Sequence, residues 1–367
     1  MAGSTAHDGE TRRIGESAVE SEDGVTRSLM RTIGGRPAWL LTAGVAILGA
    51  GTALVGPATT LPPWARYAPL AVSLLVFGLP HGAVDHLAPA RAAGERPSVR
   101  WLLIVGLAYL LLGGAYAVLW LLSPIASAAF FIGMTWVHWG QGDLYALEAL
   151  GGSHLDSRAV RTGTLLVRGG LPMLVPLLRF PERYRDVVDA WVALFGGSLD
   201  ASWLVAPDVR LGVGATFAAL TVGTLLAGYR RDPGDGWRLD AAETGLLWVY
   251  FLVVPPILAI GVYFCVWHSL RHIARLVGVD PNARRAFVDR GAVAALLRTG
   301  RDALPLTVVS VGLLVGVALV GRVQTDLQTL AALYLVFIAV LTLPHVVIVT
   351  WMDRSENAGL AGLVREQ

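Results

Sequence analysis

Long apolar segments alternate with short polar ones along most of the chain. Eight of these segments contain the roughly 20 residues that a helix needs to cross about 30 Å of hydrocarbon. They lie near residues 38–57, 66–87, 101–122, 125–149, 208–229, 244–275, 303–321 and 328–351. The pattern predicts an all-α fold, a polytopic bundle of transmembrane helices in the cell membrane.

The stretch from 159 to 206 does not follow this pattern. One half is interrupted by Arg168, two glycines and two prolines, and the other half contains three aspartates. It fits either two weak spans or a re-entrant or interfacial excursion, so the predicted total is eight or ten spans. Arginines concentrate between the second and third segments and between the sixth and seventh. This distribution predicts that both loops, and both termini, are cytoplasmic.

Composition agrees with a membrane protein and narrows its class. The 367 residues are 54% hydrophobic and 15% charged, with a mean hydropathy of +0.59, and the net charge of +2 does not indicate nucleic-acid binding. Residues 1–35 are polar and predict a disordered cytoplasmic tail, 36–353 a single transmembrane helical domain, and 354–367 a short C-terminal tail. Every basic residue is arginine, so the chain cannot hold retinal as a lysine Schiff base, which excludes a rhodopsin-like photoreceptor.

Histidines provide the candidate chemistry. Six of the eight lie within or at the end of an apolar segment: His81, His86, His138, His268, His272 and His345. An imidazole in hydrocarbon costs free energy unless it finds a partner, and imidazole is the commonest protein ligand for iron, copper and zinc. The predicted topology brings the histidines of four spans to one depth near the cytoplasmic side. We therefore predict a metal site in that layer.

Four of these histidines are the stronger ligand candidates. His268 and His272 are four residues apart, so they share a helix face and can chelate one ion. His81 follows a proline, whose break in the helix can aim the imidazole inward, and Asp85 lies one turn further on. A carboxylate there suits an acceptor for a hydrogen bond from a ligating imidazole. With His138, which lies between two tryptophans, the predicted ligands are His81, His138, His268 and His272.

A second group is predicted to orient the ligands or to wall a narrow slot for a flat apolar molecule. It comprises Asp85, His86, Trp136, Trp139, Asp143, Tyr145, Phe264, Trp267 and His345. His345 repeats the proline–histidine pair and stays open between ligand, support and wall. His154 and His7 lie in polar surroundings and are predicted to be solvated. Neutral imidazoles without a nearby cysteine suit Fe(2+), with zinc and copper open on ligand type alone.

Four short segments carry a resemblance to a known family. GLPHGAVDH, HWGQGDLYAL, WHSLRH and LPHVVIV resemble, in order, spacing and placement, the motifs of the Brp/Blh family of bacterial and archaeal β-carotene 15,15′-dioxygenases, from about residue 75 to residue 352. The resemblance implies an integral membrane enzyme that uses non-haem iron and O₂ to cleave the central double bond of β-carotene into two all-trans-retinal. It also implies hand-over of retinal to a microbial rhodopsin apoprotein. The iron ligands that it implies are His81, His138, His268 and His272.

Two other classes of protein remain as alternatives at this point. A di-iron membrane hydroxylase or desaturase acting on a lipid or carotenoid also uses intramembrane histidines, but the chain contains no HxxHH box. A metal or proton transporter would spread its histidines through the membrane thickness as a relay, whereas the predicted topology places them in one layer.

Overall fold

The computed structural model describes residues 23–55 and 61–356, and every regular element in these ranges is helical. The helices are α1 (Asp23–Thr52), α2 (Pro63–Leu75), α3 (Gly78–Gly82), α4 (Ala88–Ala92), α5 (Val99–Leu122), α6 (Pro124–Ala149), α7 (Arg158–Arg179), α8 (Pro181–Ala193), α9 (Pro207–Arg231), α10 (Asp235–Val253), α11 (Pro256–Val279), α12 (Pro281–Arg290), α13 (Ala292–Val320) and α14 (Leu327–Glu356). Single 3₁₀ turns lie at Ser153–Asp156 and Ser202–Val205.

Within the described residues, six helices are long and apolar enough to cross a membrane, namely α1, α5, α9, α11, α13 and α14. Helices α7 and α8 are long and apolar enough to cross a membrane only when they are taken together, and the chain bends by 114° between them. The stretch 159–206 therefore contains a bent helix pair. The total of eight or ten spans and the cytoplasmic position of both termini remain predictions.

Three predicted spans differ from these six helices, and each carries a predicted ligand. The predicted span near 244–275 is broken, because α10 ends at Val253 and α11 begins only at Pro256. Near 66–87 the chain is not one helix, because α2 ends at Leu75 and the five-residue α3 begins only at Gly78. Near 125–149 helix α6 has the expected length, but a histidine, a glutamine and an aspartate interrupt its apolar sequence. The polar groups that make a site lower the hydropathy of the helices that carry it.

Helix α1 begins well before the predicted end of the polar tail. Leu29, Met30 and Ile33 are buried, and this part of α1 packs against α11, where Gly34 lies over the backbone of Arg271. The prediction of a disordered tail therefore does not hold for residues 23–35. The apolar face was missed because it is short and flanked by arginines. The remainder of the predicted tail, 1–22, lies outside the described residues, as do 357–367 of the predicted C-terminal tail.

The short polar segment predicted between the apolar segments 208–229 and 244–275 is also mostly helical. Helix α9 continues to Arg231 and α10 begins at Asp235, which leaves three connecting residues. Asp240 and Glu243 are buried on the inner face of α10 rather than solvated. Burial of two carboxylates requires cationic partners, which α7 and α11 provide.

Helices α6 and α7 pack backbone to backbone. A Cβ at Gly140 would collide with the carbonyl oxygen of Leu165, and a Cβ at Gly169 would collide with that of Trp136. Glycine at these two positions allows the close approach, as small residues do between helices in membranes. The contact holds the middle of α6, which carries His138, against α7.

Candidate metal centre

Five histidines from four helices meet at one place in the interior. They are His81 on α3, His138 on α6, His268 and His272 on α11, and His345 on α14, and each is 7% exposed or less. We call these five the histidine cluster. Their ring centroids lie 4.8 Å apart for His138 and His268, and 5.0 to 5.3 Å apart for the other contacting pairs. The structure thus brings together the four predicted ligands and adds His345, which sequence reasoning ranked below them.

The local backbone explains how His81 and His268 reach the cluster. The chain breaks between α2 and α3, so the short α3 presents His81 to the interior. On α11 a π-helical turn, Tyr263–His268, ends at His268, and such turns are frequent at functional sites. Ser269 donates its hydroxyl proton to the carbonyl of Phe264 (2.6 Å), so its oxygen accepts from Nδ1 of His81 at 3.2 Å. Nε2 of His81 then carries the lone pair that a metal requires.

His345 is held by a shared carboxylate. Its Nδ1 donates to Oδ2 of Asp85 at 2.8 Å, and the same oxygen accepts from the hydroxyl of Tyr109 at 2.7 Å. Asp85 therefore orients His345, and it fixes the tautomer in which Nε2 is the unprotonated nitrogen. Sequence reasoning did not single out Tyr109, because nothing in its own surroundings marks it. The repeated proline–histidine pair was the one available signal for His345.

Several imidazole nitrogens of the cluster are buried without a hydrogen-bond partner among the described residues. They are both ring nitrogens of His138 and Nε2 of His268, His272 and His345. Buried polar atoms are usually paired, because an orphaned one costs about 1–3 kcal/mol. Orphaned nitrogens gathered in one cluster fit a bound transition metal, which would pair with one nitrogen of each ligating imidazole. Ligand atoms of Asp85, His272 and His345 lie within 4.8 Å of one another.

The remaining predicted residues divide between the cavity wall and the protein interior. Asp85, His86, Trp139 and Phe264 line the cavity beside the cluster. The imidazole of His86 is held by the backbone, since its Nδ1 lies 2.9 Å from the carbonyl oxygen of Ala83.

Trp136 and Tyr145 do not line the cavity. Trp136 donates from Nε1 to the carbonyl of Leu166 at 2.8 Å. Tyr145 donates to Glu356, and the guanidinium of Arg275 lies over its ring at 4.2 Å. Both residues support the packing of α6 rather than wall the cavity.

Asp143 and Trp267 belong to a buried group of charges behind the cluster. Trp267 donates from Nε1 to Asp143 at 3.0 Å, and the guanidinium of Arg271 lies 4.1 Å from the Trp267 ring centroid. Arg271 donates to Asp143 at 3.1 Å and to Glu243 at 2.6 Å. The carboxylate of Asp143 thus pairs with the guanidinium groups of Arg271 and Arg168 and with the indole of Trp267.

Arg168 on α7 completes this group. It donates to Asp240 at 3.1 Å and to Glu243 at 2.7 Å, while Asp240 also lies 3.2 Å from Nε2 of His154. His154 is 1% exposed, so the prediction of a solvated His154 was wrong; its carboxylate partner is distant in sequence. We call the six residues the buried charge network: Asp143, His154, Arg168, Asp240, Glu243 and Arg271.

An apolar cavity of about 490 Å³ opens beside the histidine cluster. His81, His138, His268 and His345 form part of its wall, and the rest is mainly aliphatic and aromatic. A cavity of this kind favours a hydrophobic ligand and keeps water away from the histidines that are the candidate metal ligands.

Replacement of Asp85 by asparagine tests the support of His345. We expect Asp85→Asn to weaken iron binding by about 10- to 100-fold, because it removes the charge that holds the imidazole in its ligating tautomer. The measurement is the iron retained at equilibrium against a graded series of chelator concentrations. Asp302→Asn is the matched control, since that carboxylate pairs with Arg91 instead (2.6 Å). Equal iron affinity in the two variants would show that Asp85 does not act on the site.

The fold and the site together define the class: an all-helical protein whose apolar helices surround a buried histidine cluster and an apolar cavity. The family model for β-carotene 15,15′-dioxygenase matches residues 72–353. The chain therefore belongs to the β-carotene 15,15′-dioxygenase family, as its motifs predicted.

Named relatives agree with this assignment. The chain is 54% identical over 303 residues to the probable β-carotene 15,15′-dioxygenase Blh of Halobacterium salinarum, covering 81% of this chain and 87% of the relative. It is 30% identical over 310 residues to the probable β-carotene 15,15′-dioxygenase Brp of the same species, covering 78% and 83%. The β-carotene 15,15′-dioxygenase of uncultured marine bacterium 66A03 is 25% identical over 206 residues, covering 56% and 67%. No solved structure matches the chain significantly.

Proposed function

We propose that the protein cleaves the central 15,15′ double bond of β-carotene with O₂ at an Fe(2+) ion, giving two all-trans-retinal. The observation that carries the proposal is the set of orphaned imidazole nitrogens beside an apolar cavity. The names of the relatives supply the substrate and the bond. His81, His138, His268 and His272 are the proposed ligands, and Nε2 of His345 offers a fifth.

The reaction divides between the metal and the chain. Bound iron supplies the O₂ chemistry that side chains lack. The histidines hold the ion as neutral donors, and Asp85 keeps His345 in the tautomer that leaves Nε2 available. Phe264 and Trp139 present rings to the cavity beside the cluster, where a flat conjugated chain can pack against them. Both oxygen atoms end in the two aldehydes, so the chain needs no general acid or base and no external reductant.

The proposed function also implies where the enzyme is located and where its product is released. We place the protein in the cell membrane as a multi-pass protein, because the described residues contain six apolar helices of spanning length and four of them, α1, α5, α9 and α13, are mostly exposed along their apolar windows. The catalytic domain spans 36–353, and the packing of residues 23–35 against α11 extends it toward the N-terminus. Retinal released into the bilayer would be available to a microbial rhodopsin apoprotein.

The alternatives receive less support from the site. A di-iron centre needs ligands for two ions, and the described residues bring five histidines together here, with Asp85 as the single carboxylate of the cavity wall. A relay across the membrane needs histidines at several depths, and five of the described histidines meet at one point.

The test is expression in bacteria that accumulate β-carotene, followed by chromatography of the extracted retinoids. We expect the cells to lose their orange colour and to accumulate retinal. Longer aldehydes in place of retinal would contradict central cleavage. Persistent β-carotene in membranes that contain the folded, iron-loaded protein would contradict the proposed substrate.

A further inference from the structure

The cavity at the histidine cluster extends in two directions. One arm is deep and runs along α14, where both His345 and Leu335 line it, a separation that rises about 15 Å along the helix. Tyr184 and Trp191 of α8 lie in the wall of this arm. The bent pair α7 and α8 packs there against α6 and α14, so this arm ends inside the protein.

The other arm runs toward the outer surface between α5 and α13. On α5 its wall is one helix face, formed by Leu102, Val105, Gly106 and Tyr109. On α13 the wall is again one face, formed by Leu306, Val309 and Ser310. The two helices have almost no direct contact with each other, so the cavity fills the space between them.

This second arm reaches the exterior at an apolar surface. Val309 is 63% exposed and Leu102 is 44% exposed, although both line the cavity. Helices α5 and α13 are also among the most apolar candidate spans, with only 17% of each apolar window buried. An opening bounded by such helices meets hydrocarbon rather than water once the protein is in a bilayer.

We propose that the gap between α5 and α13 is a lateral portal through which β-carotene passes from the lipid to the histidine cluster. The inference rests on the proposed function for the identity of the ligand. A long rigid polyene that enters end-on fills the deep arm first, and its middle then lies at the cluster while its second half occupies the portal. The aliphatic walls of both arms suit such a molecule along its length.

Gly106 is the position in the portal at which a bulky label can be attached. It is exposed, it lines the cavity, and a Cβ at this position would meet no described atom within 4 Å. Gly114 is the matched control, since it lies on the same helix with the same open surroundings but not in the cavity wall. The native Cys265 is 5% exposed, so treated wild-type protein reports the background labelling.

The experiment compares Gly106→Cys and Gly114→Cys before and after complete labelling with N-(1-pyrenyl)maleimide. The proteins are iron-loaded and reconstituted in phosphatidylcholine vesicles that contain β-carotene. We expect the label at 106 to lower the initial rate of retinal formation by at least about tenfold, and the label at 114 to change it by less than about twofold. Comparison within each variant separates blockage from misfolding. An unchanged rate after complete labelling at 106 would overturn the portal.

A second measurement separates the portal from the proposed function. The labelled and unlabelled variants are incubated without metal in the same vesicles and are then purified in detergent. The β-carotene that each protein retains is measured by absorbance. If the label at 106 blocks β-carotene uptake and the label at 114 does not, the result supports the portal. This holds even if the wild-type protein forms no retinal, and in that case only the proposed reaction is contradicted. Equal uptake by both labelled variants contradicts the portal whatever the wild-type activity.

Discussion

Purified His272→Ala protein is expected to lose both its iron and its retinal formation. His272 contributes one of the orphaned nitrogens of the cluster, and its removal deletes a ligand rather than the support of one. The loss of iron affinity should therefore exceed the roughly 100-fold upper range for supporting residues. Iron is measured by mass spectrometry of the metal per mole of protein, and retinal by chromatography.

His86→Ala is the matched control for the iron content. His86 lies near the cluster in sequence and space, but its Nδ1 is paired with the carbonyl of Ala83. We expect this variant to retain its iron. Unchanged iron in His272→Ala, with an intact thermal transition, would remove His272 from the ligand set and leave the other four histidines to be tested in turn.

Arg168→Met is expected to destabilise the fold by about 3–5 kcal/mol, the usual cost of leaving buried charges without a partner. Arg168 is 0% exposed and pairs with Asp240 and Glu243, so its loss leaves one guanidinium, that of Arg271, among three buried carboxylates. The measurement is the thermal midpoint in detergent, which should fall by several degrees.

Two further variants give this second prediction its controls. Arg238→Met removes a surface ion pair with Asp235 whose partners are 72% and 98% exposed, and it should have little effect on stability. Glu243→Gln in the Arg168→Met background removes one of the excess carboxylate charges and should recover part of the loss. If Arg168→Met and Arg238→Met melted at the same temperature, the buried charge network would not contribute to stability.

The sequence predicted the helical fold and the convergence of four histidines, because both follow from local patterns. The length of each apolar segment predicts a helix that can cross the membrane. The spacing of four residues between His268 and His272 places their side chains on one face of a helix. A count of residues along each run was then enough to bring His81 and His138 to the same depth. Their role as iron ligands stays a prediction until iron is measured.

The buried charge network could not be predicted in the same way. Arg168 and Glu243 are 75 positions apart, and each was interpreted locally, one as an interruption of a weak span and the other as part of a polar loop. A charge looks solvated in sequence unless its partner is known, and the partner is set by tertiary packing. His154 was misread for the same reason, since Asp240 lies 86 positions away.

His345 and Tyr109 show a related limit. Both become functional candidates through Asp85, which accepts a hydrogen bond from each. Asp85 was predicted to support an imidazole, but the sequence could not say which one, because α3, α5 and α14 are distant along the chain. The contact that selects His345 exists only in three dimensions.

The buried charge network also bears on how the enzyme matures. It joins α6, α7, α10 and α11 through ion pairs in which no histidine of the cluster takes part. We therefore expect the scaffold around the proposed metal position to assemble without the metal, unlike a zinc finger, whose folding energy comes from its ion. Insertion of the proposed iron ion would then be a late step in biogenesis. A cell short of iron would accumulate folded, dormant enzyme in its membrane, which a later supply of the ion could switch on without new protein synthesis.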